Sequence, residues 1–138
     1  MIARVSVGTS RRGSRSSVDE NVAVRVLIVD DHAGFRRTAR SLLEGEGYEV
    51  VGEAEDAAAA LTLAGETRPE LVLLDVQLPD LDGFEVAERL IALDPELQIV
   101  LTSSRDVEDY GPSVETSAAR GFVPKADLSG ATLAALLD

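Results

Sequence analysis

Charged and hydroxyl side chains follow several apolar runs of this sequence, each at the point where the run ends. Asp30 and Asp31 follow VRVLIV, Asp75 ends LVLLD, Thr102 ends LQIVLT, and Lys125 follows GFVP. A single aspartate in such a place can be an ordinary helix cap or turn residue, because strand-to-helix loops favour it there. If the runs are parallel strands of one sheet, however, their carboxyl ends lie at one edge and these side chains gather in one crevice.

Side chains gathered in this way have a defined chemistry. Three close carboxylates repel one another, so without a cation at least one of them has a raised pKa and takes up a proton. Oxygen ligands, in a chain with no cysteine and one histidine, favour Mg²⁺, which also accepts a phosphate oxygen. A carboxylate can attack phosphorus and form an aspartyl phosphate, and we predict the central Asp75 as that nucleophile. Lys125 would add positive charge, and the Thr102 hydroxyl would donate to a phosphoryl oxygen.

Strands and helices alternate along the sequence from residue 25 onward. Apolar residues at helical spacing predict a first helix over residues 35–43 that ends near Gly45 and Gly47, and Asp56 and Asp82 are predicted to cap the next two helices. Such alternation favours a parallel sheet with helices on both faces, since each crossover between parallel strands needs a helix. The short apolar runs predict strands over residues 24–30, 48–54, 70–75, 97–102 and 121–124.

The last part of the chain gives weaker patterns. Residues 106–119 are predicted as a helix, with its first turn shortened or broken by Gly111 and Pro112. Pro124 fits an edge strand, because its missing N–H needs no ladder partner there. A final helix is predicted over residues 128–137.

Composition limits the classes of protein to which the chain can belong. Its 138 residues suit one domain, and 45% hydrophobic with 28% charged residues suits a soluble globular protein. No apolar run approaches the roughly 18 residues of a membrane-spanning helix. The absence of cysteine is compatible with the cytoplasm, where we expect this protein.

The net charge of −12 is unevenly distributed. Residues 1–24 carry four arginines against Asp19 and Glu20, which leaves nine basic and 23 acidic residues from Arg25 onward. We predict that residues 1–24 are a disordered Ser/Arg-rich extension or an over-long start, and that residues 25–138 form the folded domain. A body this acidic repels phosphate backbones, so we expect no direct binding of nucleic acid.

Four stretches in this order, VLIVDDH, LVLLDVQLPDLDG, IVLTSS and GFVPKADL, resemble the receiver domain of two-component response regulators. The resemblance is strongest to receivers of the NarL/FixJ type, which precede a DNA-binding output domain of the LuxR type. No output domain is expected within these 138 residues. The resemblance implies the flavodoxin-like fold, a doubly wound five-stranded parallel sheet with strand order 2-1-3-4-5 and helices on both faces.

The same resemblance implies a role for each site residue. Asp75 is the implied phosphoacceptor, Asp31 and Asp75 are direct Mg²⁺ ligands, and Asp30 binds the ion through water. Mn²⁺ is expected to substitute for Mg²⁺. The other implied roles are a metal contact from the Gln77 backbone carbonyl, phosphoryl binding by Thr102 and Lys125, and a rotamer change on activation, or ordinary edge packing, for Phe122.

Partners are implied as well. A sensor histidine kinase or a phosphotransfer protein would donate the phosphoryl group, and a downstream protein would read the altered surface of strands four and five. The face formed by helix four, strand five and helix five is a candidate homodimer interface. The chain would be a regulator that catalyses its own phosphorylation and dephosphorylation, rather than an enzyme.

Two alternatives remain open from the sequence. One is a receiver that only binds partners, although the acidic, hydroxyl and lysine positions are all intact. The other is a haloacid-dehalogenase-like phosphatase, which also uses an aspartyl phosphate and magnesium. Such a phosphatase needs a second aspartate two residues after the nucleophile, where this chain has Gln77, which cannot act as a general acid.

Two departures from simple patterns concern His32 and Lys125. His32 lies beside the acidic pair at a predicted helix start, and we interpret it as a solvated or capping residue. Lys125 is followed by Ala126, whereas many receivers have a cis Lys-Pro bond here. A cis bond before a residue other than proline costs about 2.5–4 kcal/mol, so we do not expect one.

Overall fold

A single parallel sheet of five strands organises the chain. The computed structural model describes residues 23–137, so the predicted extension lies outside the described residues except for its last two positions. Numbered along the chain, the strands lie in the order 2-1-3-4-5, which confirms the predicted flavodoxin-like fold. They are β1 (Arg25–Val29), β2 (Glu49–Ala54), β3 (Leu71–Asp75), β4 (Gln98–Ser103) and β5 (Gly121–Pro124).

Helices cover both faces of this sheet, as predicted. Leu27 and Leu74 point to the face covered by the second and third helices, whereas Ile28 and Leu73 point to the face covered by the first and fifth helices. Because β1, β3 and β4 are covered on both faces, their residues are almost all buried and apolar until the strand ends. The helices are α1 (Ala33–Gly45), α2 (Ala57–Thr67), α3 (Gly83–Leu93), α4 (Ser113–Thr116) and α5 (Gly130–Leu136).

The predicted helix caps are confirmed at two positions. The Asp56 side chain accepts a hydrogen bond of 2.8 Å from the Ala59 N–H, and the Asp82 side chain accepts one of 2.9 Å from the Glu85 N–H. Each carboxylate satisfies a backbone donor that the helix itself leaves unpaired. The caps therefore fix where the chain turns from the sheet edge into α2 and α3.

The predicted helix over residues 106–119 is largely wrong. The segment forms a 3-10 turn at Val107–Tyr110 and the four-residue helix α4, separated by Gly111 and Pro112. Gly111 has a φ of +60°, which no helix accommodates, and the proline that follows lacks an N–H donor. The interruption therefore removes most of the expected helix rather than only its first turn.

The last helix is also shorter than the predicted one. A 3-10 turn, Lys125–Asp127, follows β5, and α5 begins only at Gly130. Pro124 lies on β5, which is an edge strand, as predicted. Every peptide bond among residues 23–137 is trans, including Lys125–Ala126. In the same part of the chain, the helices are too short or too polar to cross a bilayer.

Gly83 allows α3 to approach the end of β3 closely. A Cβ atom at this position would lie 2.5 Å from the backbone oxygen of Asp75 and 2.7 Å from the Cα of Val76. The Gly83 N–H donates to the Val76 carbonyl at 2.7 Å, so neither backbone can move independently. Only glycine therefore fits at the start of α3.

We expect Gly83→Ala to lower the free energy of unfolding by about 1–3 kcal/mol, because the added methyl group overpacks fixed backbone atoms. Gly65→Ala is the matched control, since a Cβ at Gly65 in α2 meets open space. That substitution should stabilise the helix by about 0.5–1 kcal/mol. Urea unfolding of both variants measures the difference, and equal effects would contradict the close approach.

Candidate functional site

Three aspartates lie together at the carboxyl edge of the sheet, as their positions after β1 and β3 predicted. Asp30 and Asp75 are buried, with 0% and 2% of their surface exposed, whereas Asp31 is exposed. One carboxylate oxygen from each, together with a ring nitrogen of His32, lies within 4.8 Å of the others. This acidic cluster is therefore compact enough to hold one metal ion.

Lys125 brings one positive charge to the cluster from the turn after β5. Its Nζ lies 2.7 Å from Asp30 Oδ2 and 3.5 Å from Asp75 Oδ2. The same ammonium group lies 4.8 Å from the centroid of the Phe35 ring, a cation–π contact that holds the side chain over the edge. Lys125 thus lies between the two buried carboxylates, next to the predicted nucleophile.

The charges of the cluster are not balanced. Burial raises the pKa of Asp75, and the neighbouring Asp30 carboxylate raises it further, while the Gln77 N–H and Lys125 act in the opposite direction. Asp30 Oδ2 is ion-paired with Lys125 at 2.7 Å but completes no hydrogen bond among the described residues. A divalent cation fits this donor set, because it would neutralise the excess negative charge of three carboxylates that share one ammonium group.

Thr102 lies beside Asp75 in the sheet. The two residues are register partners between β3 and β4, and the Val76 N–H donates to the Thr102 carbonyl at 2.9 Å. The Thr102 side chain is fully buried, and its Oγ1 has no hydrogen-bond partner within residues 23–137. A buried hydroxyl without a partner is unusual and is available to a group that arrives at the site.

Gln77 contacts Asp75 through its backbone. Its N–H donates to Asp75 Oδ1 at 3.1 Å, and Gln77 forms an isolated antiparallel bridge with Asp82 at the start of α3. The residue itself is exposed. The predicted metal contact from its carbonyl remains a prediction, but its backbone is held next to the acidic cluster.

An aromatic set connects the site region with β5. The Tyr110 ring lies 5.8 Å from the Phe122 ring and 5.9 Å from the Phe84 ring, between centroids. The Tyr110 hydroxyl is 2.6 Å from the buried Oγ of Ser103, the residue after Thr102. Sequence reasoning missed Tyr110, whose only signal was an aromatic residue inside a polar segment.

Asp80 is a second residue that sequence reasoning missed. Its carboxylate accepts hydrogen bonds from the backbone N–H groups of Ala57 at 2.8 Å and Ala58 at 3.1 Å. The bond from Ala57 is the main reason that the pKa of Asp80 is lowered. Asp80 therefore ties the loop after Asp75 to the first turn of α2.

Arg36 is a third. Its Nη1 donates to the backbone carbonyl of Asp30 at 2.6 Å, and its Nε donates to Glu53 Oε1 on β2 at 3.2 Å. The guanidinium therefore holds the end of β1 against β2. The spacing of one arginine six residues after an aspartate carries no signal for such a contact.

Comparisons with known proteins agree with this geometry. The model of the family described as the response regulator receiver domain matches residues 26–136. BvgA of Bordetella pertussis, a positive transcription regulator of virulence factors, is 40% identical over 101 residues, which are 73% of this chain and 48% of BvgA. The chain spans about half the length of the curated transcription regulators that it matches first.

Two solved structures are similar as well. The signal receiver domain of NarL from Mycobacterium tuberculosis is 33% identical with a TM-score of 0.72, and the match covers 83% of this chain and 96% of that one. A response regulator from Burkholderia pseudomallei is 26% identical with a TM-score of 0.73, over 82% and 66% of the two chains. That structure contains a phosphorylated aspartic acid, a calcium ion and citrate.

We expect Asp75→Asn to raise the free energy of unfolding of the metal-free protein at neutral pH. The folded state raises the pKa of this carboxyl above its ordinary value of 3.8, so its ionised form disfavours folding. The stability of the wild type should therefore fall as pH rises through the folded-state pKa, and the gain of the variant should vanish in acid. Urea unfolding with a chelator at neutral and acidic pH measures this.

Glu88→Gln is the control for that measurement, since it removes the same charge from an exposed position of α3. It should change the unfolding free energy much less than Asp75→Asn. A destabilised Asn variant, or an equal gain from Glu88→Gln, would show that burial of the Asp75 charge is not the cause.

The contact between Tyr110 and Ser103 predicts an energetic coupling. Tyr110→Phe and Ser103→Ala should each lower the unfolding free energy by about 1 kcal/mol, because each removes one hydroxyl and leaves the other without that partner. The double variant should lose less than the sum of the two, by about 0.5–1 kcal/mol. Tyr48→Phe serves as the control ring, and additivity would contradict the hydrogen bond.

Proposed function

The chain belongs to the response regulator receiver domain family, and on that premise we propose that Asp75 is the phosphoacceptor of a two-component system. The observation that carries this proposal is the environment of Asp75: a buried carboxylate at the central strand end, 3.5 Å from Lys125 and next to Asp30. The Burkholderia pseudomallei relative contains a phosphorylated aspartic acid, which supports the same chemistry here.

The transfer step uses few protein groups. A carboxylate oxygen of Asp75 attacks phosphorus of the donor phosphohistidine, and the bond between phosphorus and the imidazole nitrogen breaks with its electron pair going to the nitrogen. Gln77 orients the nucleophile, because its N–H holds Asp75 Oδ1 at 3.1 Å. The receiver contributes mainly position and charge neutralisation, which is what phosphoryl transfer requires.

Asp30, Asp31 and Asp75 would hold Mg²⁺, or Mn²⁺ in its place, with the Gln77 carbonyl as a further ligand. The excess of carboxylates over the single ammonium group of Lys125 in the acidic cluster supports this assignment. The bound ion would neutralise developing charge on the phosphoryl oxygens. Asp30 lies deepest, consistent with binding through a water molecule rather than directly.

Thr102 and Lys125 are proposed to respond once Asp75 carries the phosphoryl group. The added charge, about −1.5 to −2, attracts the ammonium of Lys125 and the free hydroxyl of Thr102. Lys125 must then shift its contacts from Asp30, and Thr102 gains its missing partner. Phe122 lies on β5, three residues before Lys125. We therefore propose that the Phe122 ring changes rotamer when Lys125 shifts.

The wider role is proposed from the family. Residues 25–138 form the receiver, a sensor histidine kinase or phosphotransfer protein supplies the phosphoryl group in the cytoplasm, and a downstream protein reads the β4 and β5 surface. A homodimer through α4, β5 and α5 would have only a small helical surface at its interface, because α4 has only four residues. No nucleic-acid contact by this domain is proposed, given its acidic surface.

Neither alternative is favoured by the geometry. An aspartyl-phosphate phosphatase would need an acid at position 77, where the exposed Gln77 uses its backbone N–H on the nucleophile. A receiver that only binds partners would not require a buried Asp75 beside an unpartnered Thr102 hydroxyl. Both remain outcomes of the experiment below.

Incubation with Mg²⁺ and acetyl phosphate, followed by intact mass measurement, tests the proposal. We expect one phosphoryl adduct on the wild type and none on Asp75→Asn. Asp94→Asn should be phosphorylated like the wild type, because Asp94 lies beyond the far end of α3, about 16 Å along the helix from its start.

Other results would change the assignment. The absence of an adduct with any small donor or kinase would favour the module that only binds partners. Sustained phosphate release from unrelated phosphate esters would favour the phosphatase.

A further inference from the structure

His32 is the only histidine of the chain, and it lies at the mouth of the acidic cluster. Its Nδ1 is 3.2 Å from Asp30 Oδ1 and 3.1 Å from Asp31 Oδ1. The sequence interpretation made it a solvated or capping residue. It is the N-cap of α1, but its side chain caps no backbone N–H there and is 70% exposed.

The two contacts of the ring nitrogen are not explained by hydrogen bonding alone. Only the one to Asp30 has hydrogen-bond geometry, and Asp30 Oδ1 already accepts a bond of 2.8 Å from the His32 backbone N–H. One ring N–H cannot point at two carboxylates at once. The nitrogen is therefore placed between two oxygens without a complete set of hydrogen bonds.

The distances agree with neighbouring ligands of one ion. In an octahedral site with bonds of about 2.1 Å, adjacent ligand atoms are about 3.0 Å apart and opposite ones about 4.2 Å apart. The contact of 3.1 Å between His32 Nδ1 and Asp31 Oδ1 matches adjacent positions, and Asp31 is the direct ligand proposed above. The fully buried Asp30, whose Oδ2 is ion-paired with Lys125 at 2.7 Å but completes no hydrogen bond among the described residues, is a separate indication of a ligand at this place.

A nitrogen ligand changes which ions the site prefers. Carboxylates and carbonyls alone suit Mg²⁺, whereas imidazole suits Zn²⁺, Co²⁺ and other first-row transition ions. The exposed ring of His32 can rotate toward an ion without disturbing the packed core. We propose that His32 is a nitrogen ligand that gives the cluster of Asp30, Asp31 and Asp75 affinity for Zn²⁺ and Co²⁺, in competition with Mg²⁺.

This inference rests on the proposed function, because it assumes that the acidic cluster binds a divalent cation. It adds that the cluster is not selective for a hard ion. Occupation by Zn²⁺ would then exclude Mg²⁺ from the same carboxylates, so that availability of a transition metal would regulate the phosphorylation of Asp75. The first quantity to measure is therefore the affinity for each metal ion and its dependence on His32, rather than the phosphorylation of Asp75.

Calorimetric titration of the untagged, metal-free protein with ZnCl₂, CoCl₂ and MgCl₂ tests the proposal. We expect His32→Asn to weaken Zn²⁺ and Co²⁺ by at least about tenfold, as for the loss of groups that support a metal site, and to change Mg²⁺ affinity by less than about twofold. Thermal unfolding of the metal-free variant verifies that it folds. Asp31→Asn is the matched comparison, and it should weaken all three ions.

A second measurement observes the ring directly. Because the chain has one histidine, its ring protons give unambiguous proton NMR signals, and one equivalent of Zn²⁺ should shift them much more than one equivalent of Mg²⁺ does. Equal loss of affinity for Mg²⁺ and Zn²⁺ in His32→Asn, unchanged Zn²⁺ affinity, or ring signals unaffected by Zn²⁺ would overturn the inference.

The two proposals fail in distinguishable ways. If Mg²⁺ binds and Asp75 is phosphorylated, but Zn²⁺ binding does not depend on His32, only the role of His32 is overturned. If neither ion binds and no phosphoryl adduct forms, the metal site and the phosphoacceptor assignment are overturned together.

Discussion

The burial of two adjacent carboxylates at one edge of the sheet is the constraint on which the structure depends. Asp30 and Asp75 are almost inaccessible, and a single ammonium group lies between them. Burying charge without full compensation opposes folding, so the neighbouring core must supply the stability. β1, β3 and β4 do this, because they are apolar along nearly their whole length and are covered on both faces. In β1 and β3, the acidic side chains come only at the carboxyl end, at Asp30 and Asp75.

Local sequence patterns predicted the parts of the fold that depend on local rules. The apolar runs placed all five strands within one or two residues, and the aspartates at positions 56 and 82 were correctly interpreted as caps. The strand ends also located the cluster, because parallel strands put their carboxyl ends at one edge. The strand order came from the family resemblance, since an alternating pattern of strands and helices does not determine which strands are neighbours.

Other features depend on contacts between distant residues and have no local pattern. Arg36 reaches the Asp30 carbonyl and Glu53 on another strand, and Asp80 caps a helix more than twenty residues before it in the chain. Gly83 allows the close approach of α3 to the backbone of Asp75, and no local pattern indicates that approach. The predicted helix over residues 106–119 is wrong for a different reason. The positive φ of Gly111, directly before Pro112, outweighs the weak helical pattern around it.

The short segment that replaces this helix restricts how a change at Asp75 can reach the surface. With only a 3-10 turn and four helical residues between β4 and β5, few elements are available to transmit a shift. Ser103 follows the buried Thr102 and bonds Tyr110, which contacts Phe122 on the strand that leads to Lys125. Thr102 and Lys125 therefore connect to the same tyrosine from two strands. If Asp75 is the phosphoacceptor, as we propose, a movement of Thr102 or Lys125 toward it would act on the two contacts of Tyr110, the hydrogen bond with Ser103 and the packing against Phe122.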